Sequence, residues 1–246
     1  MKRRDLVLSI AALLVTWQIL AWIVNRPILP PPWVVIRTLI QELNHNLALH
    51  FAASLWRVVA STMLAILTAA PAGLVMGQSR RINDLFSPII YLLYPIPKVV
   101  LLPVILLFLG IGDLSKIAII YVILFFQILV LVRDQAASLR PELIQSVRSL
   151  GAGRRALFRF VYLPASLPAI LTALRQSVGT AVAVLYVAEL FATRLGLGYY
   201  IFLNGSTLFN YPAMYAGILA MSLLGLGLYF SVDWLERRLC PWQKLK

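Results

Sequence analysis

Ionisable side chains set within apolar stretches carry whatever chemistry this sequence holds. Lys98 lies near the middle of residues 85–109, a run that also contains Pro88, Pro95, Pro97 and Pro103. Arg175 and Glu189 are the charged residues of the apolar segment 165–190. An ionisable group at that depth in lipid marks a solute path, or else it pairs with an opposite charge or snorkels to the interface. Both readings stand for Lys98, and Glu189 reads equally as a cation's structural partner or as part of an outer gate. Prolines free backbone carbonyls inside the bilayer, and these need other donors or a water-lined cavity. Pro95, Pro97, Lys98, Arg175 and Glu189 are therefore the candidate residues of a translocation pathway.

Hydrolytic and nucleotide chemistry find little support. The sequence has no G-x-S-x-G elbow, no H-E-x-x-H pair and no Gly-Lys dipeptide, so it contains no phosphate-binding P-loop. Its two histidines, His45 and His50, lie together without a serine motif beside them, and they are too few for a histidine-rich metal site. The single cysteine, Cys240, excludes an internal disulfide framework and a thiolate metal cluster. An intramembrane enzyme is the remote alternative. A structural anchor would not need proline-broken spans with embedded charge. Transport remains, and without a nucleotide site an ATP-driven version requires a separate ATPase.

The composition demands elements that lipid can surround. Hydrophobic residues make up 61% of the 246, charged residues only 13%, and the mean hydropathy is +0.87. A soluble domain carries about twice that charged fraction. The net charge of +13 lies mostly in short segments flanking apolar runs, without a basic stripe interleaved with stacking aromatics, so it indicates membrane topology and not nucleic acid. Six spans are predicted, over 6–24, 50–77, 85–109, 114–132, 165–190 and 213–232. The first follows a signal-like MKRRD start, but its apolar run is too long for an ordinary signal sequence, and it reads as an uncleaved span with Trp17 and Trp22 in an aromatic belt. Between the first two spans, Ile36, Leu39, Ile40, Leu43 and Leu47 recur at helical spacing and predict an amphipathic connector. Gly73 and Gly77 form a G-x-x-x-G pair suited to close helix approach. Residues 1–50 thus form an N-terminal span and outer connector, 51–240 a core of five spans, and 241–246 a cytoplasmic tail. Lys2, Arg3, Arg4, Arg80, Arg81, six loop arginines, Arg237, Arg238, Lys244 and Lys246 fall on one side, against Arg26, Arg37 and Arg194 on the other. The positive-inside rule puts the richer side, with both termini, in the cytoplasm.

The long polar insertion 133–164, RDQAASLRPELIQSVRSLGAGRRALFRFVYLP, supplies the six loop arginines: Arg133, Arg140, Arg148, Arg154, Arg155 and Arg159. Pro141 and Glu142 suit a first helical turn. Gly151 and Gly153 break that helix, and Leu157, Phe158 and Val161 predict a second amphipathic turn before Leu163-Pro164. Helix, bend and helix between two spans make a cytoplasmic docking element.

This loop resembles the signature of ABC importer permeases. Gly151, nine residues, Val161, one residue and Leu163-Pro164 are similar to the second half of their EAA signature, G-x9-I-x-LP, and Leu150-Gly151-Ala152 matches the usual wording around that glycine. The first half departs, with Gln145-Ser146-Val147 where the family has Glu-Ala-Ala, so an acid is lost. Three further stretches resemble the nitrate/sulfonate/taurine-type permeases: LHFAASLWRVVAS from Leu49, PIPKVVLLPVILLFLGIGDLSK from Pro95, and Ala188-Glu189-Leu190 followed by GLGYYI from Gly196. The resemblance implies an all-α polytopic membrane protein, with the type I importer permease fold of six transmembrane helices in a bacterial inner membrane. It implies a pathway enclosed with a second permease copy or a close relative, two cytoplasmic ATPase subunits that bind ATP and Mg, and a periplasmic or lipid-anchored substrate-binding protein. This chain would hold no cofactor or metal. The solute would be a sulfonate, taurine, nitrate or similar oxyanion, the alternative being a neutral or cationic vitamin-precursor pyrimidine. The helix at Gln145–Gly151 would couple the ATPase to the spans, with Leu150 and Leu157 as apolar anchors.

Overall fold

Apolar runs of this length fold as helices because a backbone in lipid must satisfy its own hydrogen bonds. The computed structural model describes residues 3–191 and 193–242, and every regular element among them is helical. The expectations for Lys2, Lys244, Lys246 and the end of the 241–246 tail lie outside the described residues. In order, the elements are α1 (Arg3–Val24), α2 (Pro32–Leu43), α3 (Leu47–Gln78), α4 (Arg80–Leu93), a 3-10 turn (Lys98–Leu101) leading into α5 (Leu102–Leu109), α6 (Asp113–Ala137) and α7 (Pro141–Ser149). Then come the short α8 (Arg154–Leu157), a π-helical turn (Phe158–Tyr162), α9 (Leu163–Leu190), α10 (Leu197–Phe202), a second π turn (Leu203–Thr207) and α11 (Tyr211–Leu239).

Five of these helical stretches are long and apolar enough to cross a membrane, and α4 with the segment Lys98–Leu109 makes a sixth if that bent pair is one span. The pair bends by 79°. Pro95 and Pro97 account for the break, since neither can donate the backbone hydrogen bond that would continue α4. Two other expectations are corrected. Leu47 begins α3, fully buried, and does not belong to the connector stripe; in α2 it is Val35 that is buried, while Ile36 and Ile40 are exposed. The second loop helix is not a separate element, because Arg155–Leu190 forms one continuous apolar stretch through the π turn into α9. The Leu163 N–H reaches back five residues to the Phe158 carbonyl. That wider turn accommodates Pro164, whose ring and missing N–H would disrupt regular α-helix at this point.

The chain divides into two compact units. One runs up to Leu55 and resumes over Glu189–Leu224. Leu47, Val35, Leu197, Ile201, Ala213 and Ala216 form its interior, and Trp17 of α1 meets Tyr215 at 5.8 Å between ring centroids. The other unit comprises Trp56–Ala188 and the chain from Gly225. Its interior includes Val58, Ala65 and Leu74 of α3 with Ile120, Leu124 and Ile128 of α6. Gly73 and Gly77 are where α3 meets α6 most closely. A Cβ on Gly73 would lie 2.8 Å from the Leu129 carbonyl oxygen, and one on Gly77 2.7 Å from that of Arg133. The G-x-x-x-G pair therefore sets a backbone-to-backbone contact.

Candidate translocation and coupling sites

The α4–α5 break is built around Lys98. Its ammonium donates to the carbonyl oxygens of Leu93 at 3.0 Å, Tyr94 at 3.0 Å and Ile96 at 3.3 Å. The same nitrogen stands 4.6 Å from the centroid of the Phe126 ring and 5.6 Å from that of Tyr94. Tyr94, Lys98, Phe126 and Gln127 line a cavity of about 370 Å³ beside the break. Tyr94 and Pro95 also border a larger cavity, about 720 Å³, that extends along α3, α4 and α6 to Gln78, Arg80, Arg133 and Asp134. Pro95 and Pro97 are exposed in the break. Lys98 thus lines the smaller cavity and Pro95 the larger one, with Pro97 beside them in the break.

Arg175 and Glu189 belong to other networks. Arg175, on α9, pairs through Nη1 with Asp233 at 3.2 Å and Glu236 at 3.0 Å on α11, and Asp233 also pairs with Arg237 at 2.8 Å. Two carboxylates around one guanidinium neutralise it in place. Glu189 is fully buried and accepts hydrogen bonds from the Ser54 hydroxyl, at 2.8 and 2.9 Å to its two oxygens, and from the Gly198 N–H at 2.8 Å. The Ser54 hydroxyl in turn accepts from the Leu197 N–H at 2.8 Å. One helical turn earlier, His50 Nδ1 lies 3.1 Å from the Gly196 nitrogen and 3.0 Å from its carbonyl oxygen. Gly196 has φ +127°, and a Cβ there would overlap the Glu189 carboxylate. Serine, histidine and carboxylate together bind the start of α10 to α3 and the end of α9. In α10 itself, burial first and then the Glu42 carboxylate hold the Tyr200 phenol above its ordinary pKa, so it stays neutral.

In the sequence, Ser54 and Arg57 stand out only within the LHFAASLWRVVAS resemblance, and His50 there and as one of two histidines too few for a metal site. Their spacing of four and three places them on one face of α3, and a polar face on an apolar helix was the signal available. Arg57, 3% exposed, donates through Nε and Nη2 to the Asp113 Oδ1 at 2.8 and 2.7 Å, joining α3 to the first turn of α6. Lys116, in that same turn region, is the largest fully buried side chain among the described residues.

The loop element has a solvent-facing and an inward-facing part. α7 carries Pro141 in its first turn and Arg148 in its last, and it ends at Ser149. Gly151 follows with φ +84°, a left-handed turn that favours glycine. Gln145, Ser146, Gly151 and the side chain of Leu150, 85% exposed, face outwards, while Val147 and Ala152 are half-buried. Leu157 and Val161 are buried within the chain, at 4% and 2% exposure. The role of Leu157 as an anchor for a partner's groove is thereby corrected: its surface is already covered, whereas Leu150 and Leu143 remain exposed. Leu163 and Pro164 begin α9.

A helical, multi-span membrane protein with a proline-broken segment at a cavity and a projecting basic loop is a transporter subunit by class. The chain belongs to the family of binding-protein-dependent transport system inner membrane components, whose model matches residues 61–240. It is 34% identical to the taurine transport system permease protein of Escherichia coli over 95% of this chain and 88% of the relative. It is 32% identical to the formylaminopyrimidine transport permease protein of Halalkalibacterium halodurans (94% of this chain, 93% of the relative). It is 27% identical to a Bacillus subtilis protein described as a putative aliphatic sulfonates transport permease (95% and 85%). Its fold matches an inward-facing conformation of the MetNI methionine ABC transporter with a TM-score of 0.69, at 20% identity over 85% of this chain and 97% of that one. The chain is an ABC importer permease of the nitrate/sulfonate/taurine type, a multi-pass inner-membrane protein with the type I importer fold.

Proposed function

We propose that this permease imports a small sulfonate, taurine foremost, by alternating access. Two copies, or this chain and a close relative, enclose the path. ATP and Mg are held by two separate ATPase subunits on the cytoplasmic side, and a substrate-binding protein delivers solute to the outer side. The bias of Arg80, Arg81, Arg140, Arg148, Arg155 and Arg237 puts α7 and both termini in the cytoplasm. Identity of 34% with a taurine permease over 95% of this chain carries the choice of solute.

Coupling runs through Gln145, Ser146, Val147, Leu150, Gly151 and Ala152. A short helix held between two spans transmits rigid-body movement from an ATPase groove, and Leu150 and Leu143 are exposed apolar side chains available to it. Leu157, Val161, Leu163 and Pro164 fasten the returning chain to α9, so that movement of α7 reaches a span. Pro95, Pro97 and Lys98 form the wall of the path at the break. Glu189 belongs to the outer gate, where it closes the α10 loop against α3, and Arg175 locks α9 to α11.

A neutral or cationic pyrimidine is the second reading, favoured by 32% identity with a formylaminopyrimidine permease and by the uncharged amide of Gln127 at the cavity beside the break. A thermal-shift panel on the cognate substrate-binding protein separates the two, using taurine, alkanesulfonates, nitrate, bicarbonate and pyrimidine vitamin precursors. Stabilisation by taurine or an alkanesulfonate is expected. Stabilisation only by pyrimidines replaces the first reading with the second.

A further inference from the structure

We propose that Lys98 is a positioning residue of the transport path: its ammonium fixes the α4–α5 bend by capping the carbonyls of the break, and it does not present a charge to solute. The inference rests on the permease reading for its place on the path. It goes beyond that reading by assigning what the one lysine of the broken segment does.

A lysine ammonium has three N–H donors and no acceptor. Here three carbonyl oxygens, of Leu93, Tyr94 and Ile96, take them at 3.0, 3.0 and 3.3 Å. The demand for those donors follows from the sequence. In a continuous helix the Leu93 carbonyl would accept from residue 97, but Pro97 has no N–H, and the backbone donor left to it is the Ile96 N–H in a turn bond of 3.3 Å. Tyr94 and Ile96 lie in the 94–97 turn after α4 has ended, so their carbonyls also face away from regular helical donors. Carbonyls short of donors in a spanning segment would be costly, and the Lys98 stem is long enough to return its head group over the break. The Phe126 ring of α6, 4.6 Å away, adds a cation–π contact to the ammonium. An anion could gain a hydrogen bond from Lys98 only by taking a donor from one of these carbonyls. The charge therefore stabilises a 79° bend that two prolines permit but do not by themselves hold.

The test reads the bend in the absence of solute. Leu85→Cys and Phe108→Cys place spin labels at exposed positions on α4 and α5. Native Cys240 is 2% exposed and burial pushes its thiol up, so it stays unlabelled. The full transporter with its ATPase is assembled in nanodiscs, with labelled permease diluted by unlabelled copies, and the distance distribution within one chain is measured by pulsed electron paramagnetic resonance. The wild type should give one narrow peak, Lys98→Met should lose it to a broad distribution, and Lys98→Arg should restore it. Where Lys98→Met fails to insert, Lys98→Gln, which keeps two donors, should broaden the peak. A Lys98→Met or Lys98→Gln distribution that superimposes on the wild type overturns the proposal. So does a wild-type peak that broadens in millimolar sulfate or taurine, because the ammonium would then be exchanging its carbonyls for an anion.

Discussion

At the scale of residues, Lys98, Arg57, Arg175 and Glu189 are each held by neighbouring groups, and those partners define what each does. Glu189 illustrates it. Its hydrogen-bond partner Ser54 is 135 positions away in sequence. Charge and hydropathy identify Glu189 as an unusual group, but a pairing over that separation depends on which helices pack together. The position of the carboxylate in an apolar segment was legible; its latch to Ser54 and Gly198 was not. Lys98 was legible as an unusual charge in a broken segment for the same reason, and its contacts with the carbonyls of the break were hidden because they depend on the direction of the bend. Replacing Glu189 by alanine leaves the Ser54 hydroxyl and Gly198 N–H without their acceptor, at a cost of about 1–3 kcal/mol for each buried donor left unpaired. Thermal unfolding of the purified transporter in detergent should show Glu189→Ala melting clearly below wild type, with Glu189→Gln between them. Equal melting temperatures for all three would remove the latch from this account.

At the scale of elements, hydropathy located the spans because a run of apolar residues long enough for lipid has few other uses. Four prolines announced the break in the segment before α6. The end of the loop misled for an equally physical reason. Leu163-Pro164 reads as a stop in a regular helix, yet a π turn over Phe158–Tyr162 widens the backbone enough to carry the helix through. The same continuity buries Leu157 and leaves Leu150 and Leu143 as outward apolar side chains of the loop. In the proposed mechanism α7, with Gly151 at φ +84° behind it, acts as a lever on α9. Gly151→Trp should therefore insert normally and leave ATP hydrolysis by the assembled complex measurable, while solute uptake per ATP falls by about tenfold or more, equivalent to roughly 1.4 kcal/mol or more of lost coupling. Normal uptake per ATP in that variant would move the coupling bend elsewhere.

At the scale of the whole molecule, a net charge of +13 with 61% hydrophobic residues describes a membrane protein oriented by its basic loops, and none of that charge is needed to explain a solute. Family membership and fold make the chain one part of an importer. The absence of a P-loop from its sequence is the reason the account requires an ATPase partner. The most direct measurement reconstitutes the permease with its ATPase in liposomes, with ATP and Mg trapped on the ATPase side, binding protein on the other, and uptake of labelled taurine followed over time. The account predicts taurine accumulation against its gradient that stops when either ATP or the binding protein is omitted. Taurine flux that persists without both would contradict it.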